Sequence, residues 1–240
     1  MKYMTILAAS ALLTAPCQSF SPVQVRARQQ MPIITKLHSL KPAAAPLMDA
    51  GKALARSGEL LIDATSTPKL DNYGGGLSSA GANIRNAGDC IAQAAASCRF
   101  KTAAELVCDE MREAGTCLIE AVGHLKKAAD DAELDQLLTM KGCIENDMMP
   151  FMQKGGESLE LAGAGIMKRE KLVDIGKNLI AVGVEMEHLA LGIQKLDAEL
   201  EETKVSGQRM LYASLKMKEA GNNLMGIKPE QKKGKSWLKG

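Results

Sequence analysis

Glycine recurs in this chain at positions where a helix pays for it and something must compensate. The pattern Gly-x-x-Leu/Ile-x-x-x-Gly-x-x-Leu/Ile/Met occurs four times without a mismatch, at Gly51/Leu54/Gly58/Leu61, Gly81/Ile84/Gly88/Ile91, Gly156/Leu159/Gly163/Ile166 and Gly176/Leu179/Gly183/Met186. A fifth copy, Gly115/Leu118/Val122/Leu125, loses one glycine, and a sixth begins at Gly221/Leu224. Spacings of three and four place these residues on one helical stripe, equivalent to a and d of a heptad. Glycine inside a helix costs about 1 kcal/mol against alanine, so its repetition implies close backbone approach between neighbouring helices. The copies start 30, 34, 41, 20 and 45 residues apart, too irregular for a solenoid with one repeat unit. The expected fold is therefore all-α, an antiparallel, coiled-coil-like helical bundle of about five to seven helices packed through Gly/Leu heptad stripes. The helix-packing residues are Gly51, Gly58, Gly81, Gly88, Gly156, Gly163, Gly176 and Gly183.

Composition agrees with helices. Hydrophobic residues make up 46% of the 240 residues but aromatics only 3%, so the core has to be built from Leu, Ile, Val, Met and Ala. The many methionines read as core filler, with a soft hydrophobe-binding groove as the alternative. Boundary signals predict helices near 46–65, 78–97, 102–129, 132–148, 150–166, 169–203 and 207–225. Asn72 to Gly76 reads as a loop, with Gly74-Gly75-Gly76 a flexible joint and Ser78 a cap. Thr102-x-x-Glu105 and Asp130-x-x-Glu133 read as capping boxes, and Pro150 and Ser206-Gly207 as breaks. The bundle is expected over 46–227, with a division near 150 as the alternative to a single body. Ionisable residues interrupt every Gly copy, among them Lys52, Arg56, Arg85, Glu157 and Glu185, so no transmembrane span is expected in the mature chain.

The net charge of +2 conceals a partition: residues 1–42 are +5 with no acid, residues 228–240 are +4, and the body between is −7. An acidic body argues against nucleic-acid binding, which needs a basic surface to neutralise phosphates. The N-terminal segment reads as targeting sequence. Lys2 precedes a short apolar run, Met4 to Ala15, followed by Cys17-Gln18-Ser19, the pattern of a signal peptide over 1–19. Residues 20–45 then have the basic, Ser-bearing, acid-free composition of a transit peptide up to Pro42. Ser19-Phe20-Ser21-Pro22 at the junction resembles the bipartite plastid presequences of diatoms and other algae with complex plastids, although Cys17-Gln18 departs from the usual Ala and Ser. The resemblance covers only about the first 40 residues. It implies delivery to a plastid, with the stroma as destination because no second apolar segment follows; the secretory pathway or the cell exterior is the alternative.

Candidate chemistry is sparse. Beyond the presequence lie Cys90, Cys98, Cys108, Cys117 and Cys143. A turn near 99 would set Cys90 opposite Cys108, and a turn near 130 would set Cys117 opposite Cys143. These are candidate disulfide or redox-switchable pairs, the alternative being free buried thiols. The nine-residue gap between Cys98 and Cys108 has no twin, which excludes a twin-CX9C hairpin. Glu185-x-x-His188 is the only Glu-x-x-His, and His124 has Glu120 one turn away, so neither a di-iron nor a zinc site is expected. No catalytic, cofactor-binding or metal-binding set is assigned, and the chain is not expected to be an enzyme. The tail 228–240 combines Lys232, Lys233, Lys235 and Lys239 with Trp237, the single tryptophan. That mixture suits an acidic protein partner or peripheral contact with an anionic membrane surface, against a simple solubility tail. The function expected is a non-enzymatic interaction module or assembly subunit of a plastid complex with a protein partner; the alternative is a carrier of a lipid, pigment or other hydrophobe.

Overall fold

The unit of construction is a seven-residue set carried by six long helices. The computed structural model describes residues 40–68, 70–100, 103–197 and 199–227. It contains α1 (Lys41–Thr65), a 3-10 turn (Asp71–Tyr73), α2 (Gly74–Ser97) and α3 (Ala104–Leu134). A short α4 (Leu138–Gly142) runs through a π-helical segment (Cys143–Met148) into α5 (Met149–Lys168), followed by α6 (Leu172–Leu196) and α7 (Glu201–Met225). The described residues are all-α, a helical bundle without strands.

Most sets in the long helices are a small residue, a second small residue beside it, and a large aliphatic residue three positions on; in α6 the first place is held instead by Ile175, Val182 and Leu189. In α1 the sets are Ala43/Ala44/Leu47, Ala50/Gly51/Leu54 and Ser57/Gly58/Leu61; in α7 they are Ser206/Gly207/Met210, Ala213/Ser214/Met217 and Ala220/Gly221/Leu224, and all are buried. The large residue points inward, and the two small ones lie against the neighbours on either side.

The Gly-bearing side makes three hairpins. Gly51 meets Gly88 and Gly58 meets Gly81 between α1 and α2; Gly115 meets Gly156 and Gly163 meets Cys108 between α3 and α5; Gly176 meets Gly221 and Gly183 meets Ser214 between α6 and α7. In each hairpin the contacts step seven residues along both helices in opposite directions. Space for a side chain is absent: a methyl at Gly156 would lie 2.7 Å from the Gly115 carbonyl oxygen, and one at Gly176 would lie 2.7 Å from that of Gly221. The expectation that these glycines are packing positions thus rests on backbone contacts at each of the eight.

The other side joins the hairpins, α2 to α3 and α5 to α6, and then α7 returns to α1, so the six helices form a closed antiparallel ring. The closing seam carries the buried polar pair Ser57 and Ser206. Ser57 Oγ donates to the Ser206 carbonyl at 2.9 Å, Ser206 Oγ donates to the Ser57 carbonyl at 2.9 Å, and the hydroxyls are 3.0 Å apart. A seam of Ala43, Ala50, Ser57 and Ala64 against Ser206, Ala213 and Ala220 could slide by a turn, and reciprocal hydroxyl bonds penalise that by leaving buried polar groups unpaired. Near the chain ends Asn223 Nδ2 donates to the Pro42 carbonyl at 3.1 Å.

The register of the Gly contacts levels Leu54, Ile84, Leu118, Met152, Met186 and Met210 in one inner layer, and Leu47, Ile91, Met111, Leu159, Leu179 and Met217 in the next. None of the twelve is more than 2% exposed. Tight hairpins shrink the ring until six Leu, Ile or Met side chains per layer fill its axis.

Several boundaries differ from the sequence expectation, for local reasons. α1 begins at Lys41 because Pro42 sits in the first turn, where its missing N–H costs nothing. Gly74-Gly75-Gly76 is the first turn of α2, not a loop, and Ser78 lies inside the helix. Gly76 is needed there: a methyl on it would stand 2.8 Å from the Ala128 amide nitrogen and the His124 carbonyl oxygen. Asp130-x-x-Glu133 caps nothing, since α3 continues to Leu134. Ser206-Gly207 is no break either; α7 starts at Glu201 and Gly207 lets α7 close onto Ala190 and Gln194 of α6. Thr102 lies outside the described residues. At Pro150 the helix is not broken but loosened, the preceding π-helical segment spacing the carbonyls that a proline ring would strike. α5, beyond Pro150, packs on α3, before it. No helix among the described residues is long and apolar enough to cross a membrane.

Candidate functional site

Cys90, Cys98, Cys108, Cys117 and Cys143 are free thiols, Cys90 half-buried and the other four buried. The turns fix which of them meet. Gly76 against Ala128 levels Cys90 with residues near 112–114, so Cys90 faces not Cys108 but the outer edge of α3 that carries Glu110, Glu113 and Cys117. Cys108 instead lies on the α5 side of α3, its carbonyl oxygen against Gly163. Cys143 sits in the π-helical segment and donates to the Gly192 carbonyl of α6 at 3.3 Å; on the α3–α5 register it lies about 16 Å along the axis from Cys117, eleven residues at 1.5 Å each. The pairs Cys90/Cys108 and Cys117/Cys143 are therefore not brought together. An antiparallel partner moves two residues for each residue of shift in the turn, and the second turn falls at 135–137 rather than 130.

Burial makes these thiols weak acids. Desolvation pushes Cys98 up to about 12, and Cys90 reaches about 12 by desolvation with the charges of Cys117, Glu110 and Glu113 adding to it. Cys143 is pushed up to about 11 by burial and the nearby Asp147. Cys108 and Cys117 are also raised, mainly by desolvation. A nucleophilic or metal-binding cysteine needs its thiolate, and every environment here favours the thiol.

His188 stacks on Phe151 across α5 and α6, ring centroids 4.7 Å apart, whereas the side chain of His124 is exposed on α3 and only its backbone carbonyl meets Gly76. No group of three or more metal-ligating side chains occurs among the described residues.

Two recesses open at the surface. One of about 580 Å³ lies along α3 and α5, with Leu161, Ala164 and Met167 as its apolar wall and Arg112, Glu160 and Lys168 around it. The other, about 360 Å³, lies at the end of the bundle where α3 turns into α4 and α6 gives way to α7, lined by Leu70, Leu137, Leu138, Met140 and Leu196. Around it the turn exposes Leu134, Leu137 and Leu138, which are 81%, 43% and 68% accessible. Gln136 adopts a left-handed conformation (φ 61°) at the apex, and the Tyr73 hydroxyl donates to Asp135 at 2.8 Å, holding the turn to the 3-10 turn below. This end was missed in the sequence, although Leu137 and Leu138 fall on no Gly/Leu stripe and follow the run Asp130-Asp131-x-Glu133.

Residues 1–39 and the tail residues Lys232, Lys233, Lys235, Trp237 and Lys239 lie outside the described residues, whereas 40–45, read from the sequence as the end of the transit peptide, open α1 and bury Leu40, Ala43 and Ala44. No family model, curated protein or solved structure matches the chain.

Proposed function

We propose that the protein is a non-enzymatic interaction module, an accessory or assembly subunit of a plastid complex, acting through its outer surface and its C-terminal tail. One observation carries this reading: the bundle consumes its interior in helix packing, with both central layers closed, while large leucines stand exposed in a cluster at one end. Exposed apolar clusters of that kind are typical of binding surfaces. Raised thiols and ring-stacked histidine give the surface little to do chemically and leave recognition as its role. Co-purification from the native organelle, identifying proteins and lipids together, tests the proposal; recovery of the chain alone at low and high salt counts against it. The plastid destination rests on Ser19-Phe20-Ser21-Pro22 and the stroma on the lack of a second apolar segment after it in the presequence. Terminal sequencing should find the mature chain starting between about 35 and 41, at the early end of the range the acid-free composition allows, because α1 begins at Lys41 and buries Ala43, Ala44 and Leu47, and Phe20→Ala should divert the protein.

The α3–α5 recess favours a second reading, a carrier holding a hydrophobe or amphiphile at the surface rather than in the ring. Its apolar wall of Leu161 and Met167, with Arg112 and Lys168 balanced by Glu157 and Glu160, suits an apolar chain with a polar, uncharged or zwitterionic head. Lipid that co-purifies with the native protein, and is lost in Leu161→Glu, would favour this reading over the first.

A further inference from the structure

The exposed leucine end has a chemical complement elsewhere in the same chain. Segments 129–141 and 195–204, which meet at that end, carry eight Asp or Glu and three Lys. Two of the three cations are already engaged: Lys141 with Glu133 at 2.8 Å and Lys195 with Asp147 at 2.9 Å. The result is an acidic rim around Leu134, Leu137 and Leu138 and a recess large enough for one big side chain. A fitting occupant is basic with an apolar anchor. The last 13 residues of the chain have five Lys against Glu230, with Trp237-Leu238 between Lys235 and Lys239.

The tail departs from the other end. α7 starts at Glu201 beside the acidic rim and ends at Met225, and a helix of its 25 residues is about 37 Å long. Thirteen residues reach at most about 45 Å when fully extended. To arrive at its own rim the tail would have to run straight down the side of the bundle, with almost nothing left to bind. A neighbour's rim has no such constraint.

We infer that the acidic leucine end receives the basic tail, residues 228 to 240, of a second copy of this chain, Trp237 entering the recess. The proposal names the partner of the tail in the reading above and rests on that reading. Tail and rim are different surfaces at opposite ends, so the contact is heterologous and propagates head to tail, and it does not close as a twofold dimer would. Its electrostatic part weakens with salt, while the Trp237 contact persists.

Trp237 is the chain's only tryptophan, so its emission reports the tail alone. In full-length protein at low salt the emission should move to the blue as concentration rises, in step with growth of the sedimenting species. Trp237→Ala should weaken self-association by about tenfold or more, as expected of a buried aromatic anchor, and Leu134→Glu with Leu138→Glu should abolish it. Both leucines are exposed, so helicity and melting temperature should be unchanged, as in the control Leu161→Glu, which should still associate. The decisive arm mixes protein lacking 228–240 with the Leu134→Glu/Leu138→Glu protein. Each alone should be monomeric, and together they should form pairs and nothing larger, because one supplies only a rim and the other only a tail. Emission that is blue at every concentration would place the tail on its own bundle and overturn the proposal. Water-exposed Trp237 at all concentrations would overturn it too, and the general interaction reading would then survive if native co-purification still yields a partner. Emission that moves only on adding anionic vesicles would overturn it in favour of a membrane surface.

Discussion

At the residue scale, one methyl group distinguishes packing glycines from the rest. Gly51→Ala would bring a carbon to 2.6 Å from the Gly88 carbonyl oxygen and the Ala92 amide nitrogen, both backbone, so two helices must part. Overpacking of that kind costs about 1–3 kcal/mol, or several degrees of melting temperature for a domain this size. Gly163→Leu and Gly183→Leu should cost at least as much. Gly75 has nothing within 4 Å, so Gly75→Ala should hold or raise the melting temperature; equal losses at Gly51 and Gly75 in thermal unfolding would contradict the interfaces described. The thiols set a pH dependence. Their folded pKa values lie above the ordinary thiol range, so above about pH 8.5 the unfolded chain sheds protons that the folded chain keeps. Stability should therefore fall as pH rises from about 9 toward the folded values of 11 to 12. The raised lysines Lys141, Lys195 and Lys216 act in the same direction, their stabilisation fading as pH climbs through their folded values. Denaturant titrations at pH 7, 9 and 10 read this directly, and Cys98→Ala should flatten the decline.

At the scale of elements, the seam between α1 and α7 depends on two hydroxyls that satisfy each other. Each substitution by alanine removes one of the two cross-helix donations and leaves the other hydroxyl still donating to a backbone carbonyl, so Ser57→Ala or Ser206→Ala should each cost about 0.5–1.5 kcal/mol, with only the hydroxyl–hydroxyl contact at 3.0 Å coupling the two. A double-mutant cycle by chemical denaturation measures that coupling. Such reciprocal pairing was invisible in the sequence, because serine at a small position reads like alanine until its neighbour is known. What was legible followed from periodicity: the glycine stripes, the helical class and the antiparallel hairpins all express spacings of three and four. What was not legible followed from competition between local and tertiary signals. Asp130 and Glu133 look like a cap, yet Ala128, Ala129 and Ala132 are buried and carry α3 on to Leu134. Ser206-Gly207 looks like a turn, yet helix contact demands a small residue there. The thiol pairing failed with the turns, since a few residues of error in a turn double when read across a hairpin. The alanines that precede Gly51, Gly81, Gly88, Gly115, Gly163 and Gly221 carry no signal in the sequence because alanine is common in any helix.

At the scale of the whole molecule, ring closure makes the order of the helices less important than their adjacency. Joining residue 227 to residue 40 through a short flexible linker and opening the chain at 135–137 should preserve the helical signal and a cooperative melt. The Asn223 to Pro42 hydrogen bond already holds those ends together. Loss of folding in that permutant, with an intact parent, would show that the α3–α4 turn is indispensable. The seam also imposes a timetable on any chain that emerges N-terminus first, from a ribosome or through a translocation pore. α1 appears first, yet the helix that covers its Ala43, Ala50, Ser57 and Ala64 flank appears last. Until α7 is through, the ring is an open arc whose first helix has one naked flank, and the chain stays pliant enough to be threaded. Arrested chains ending before Glu201 should accordingly be protease-sensitive in α1, and chains ending past Met225 resistant: the last helix to arrive locks the first.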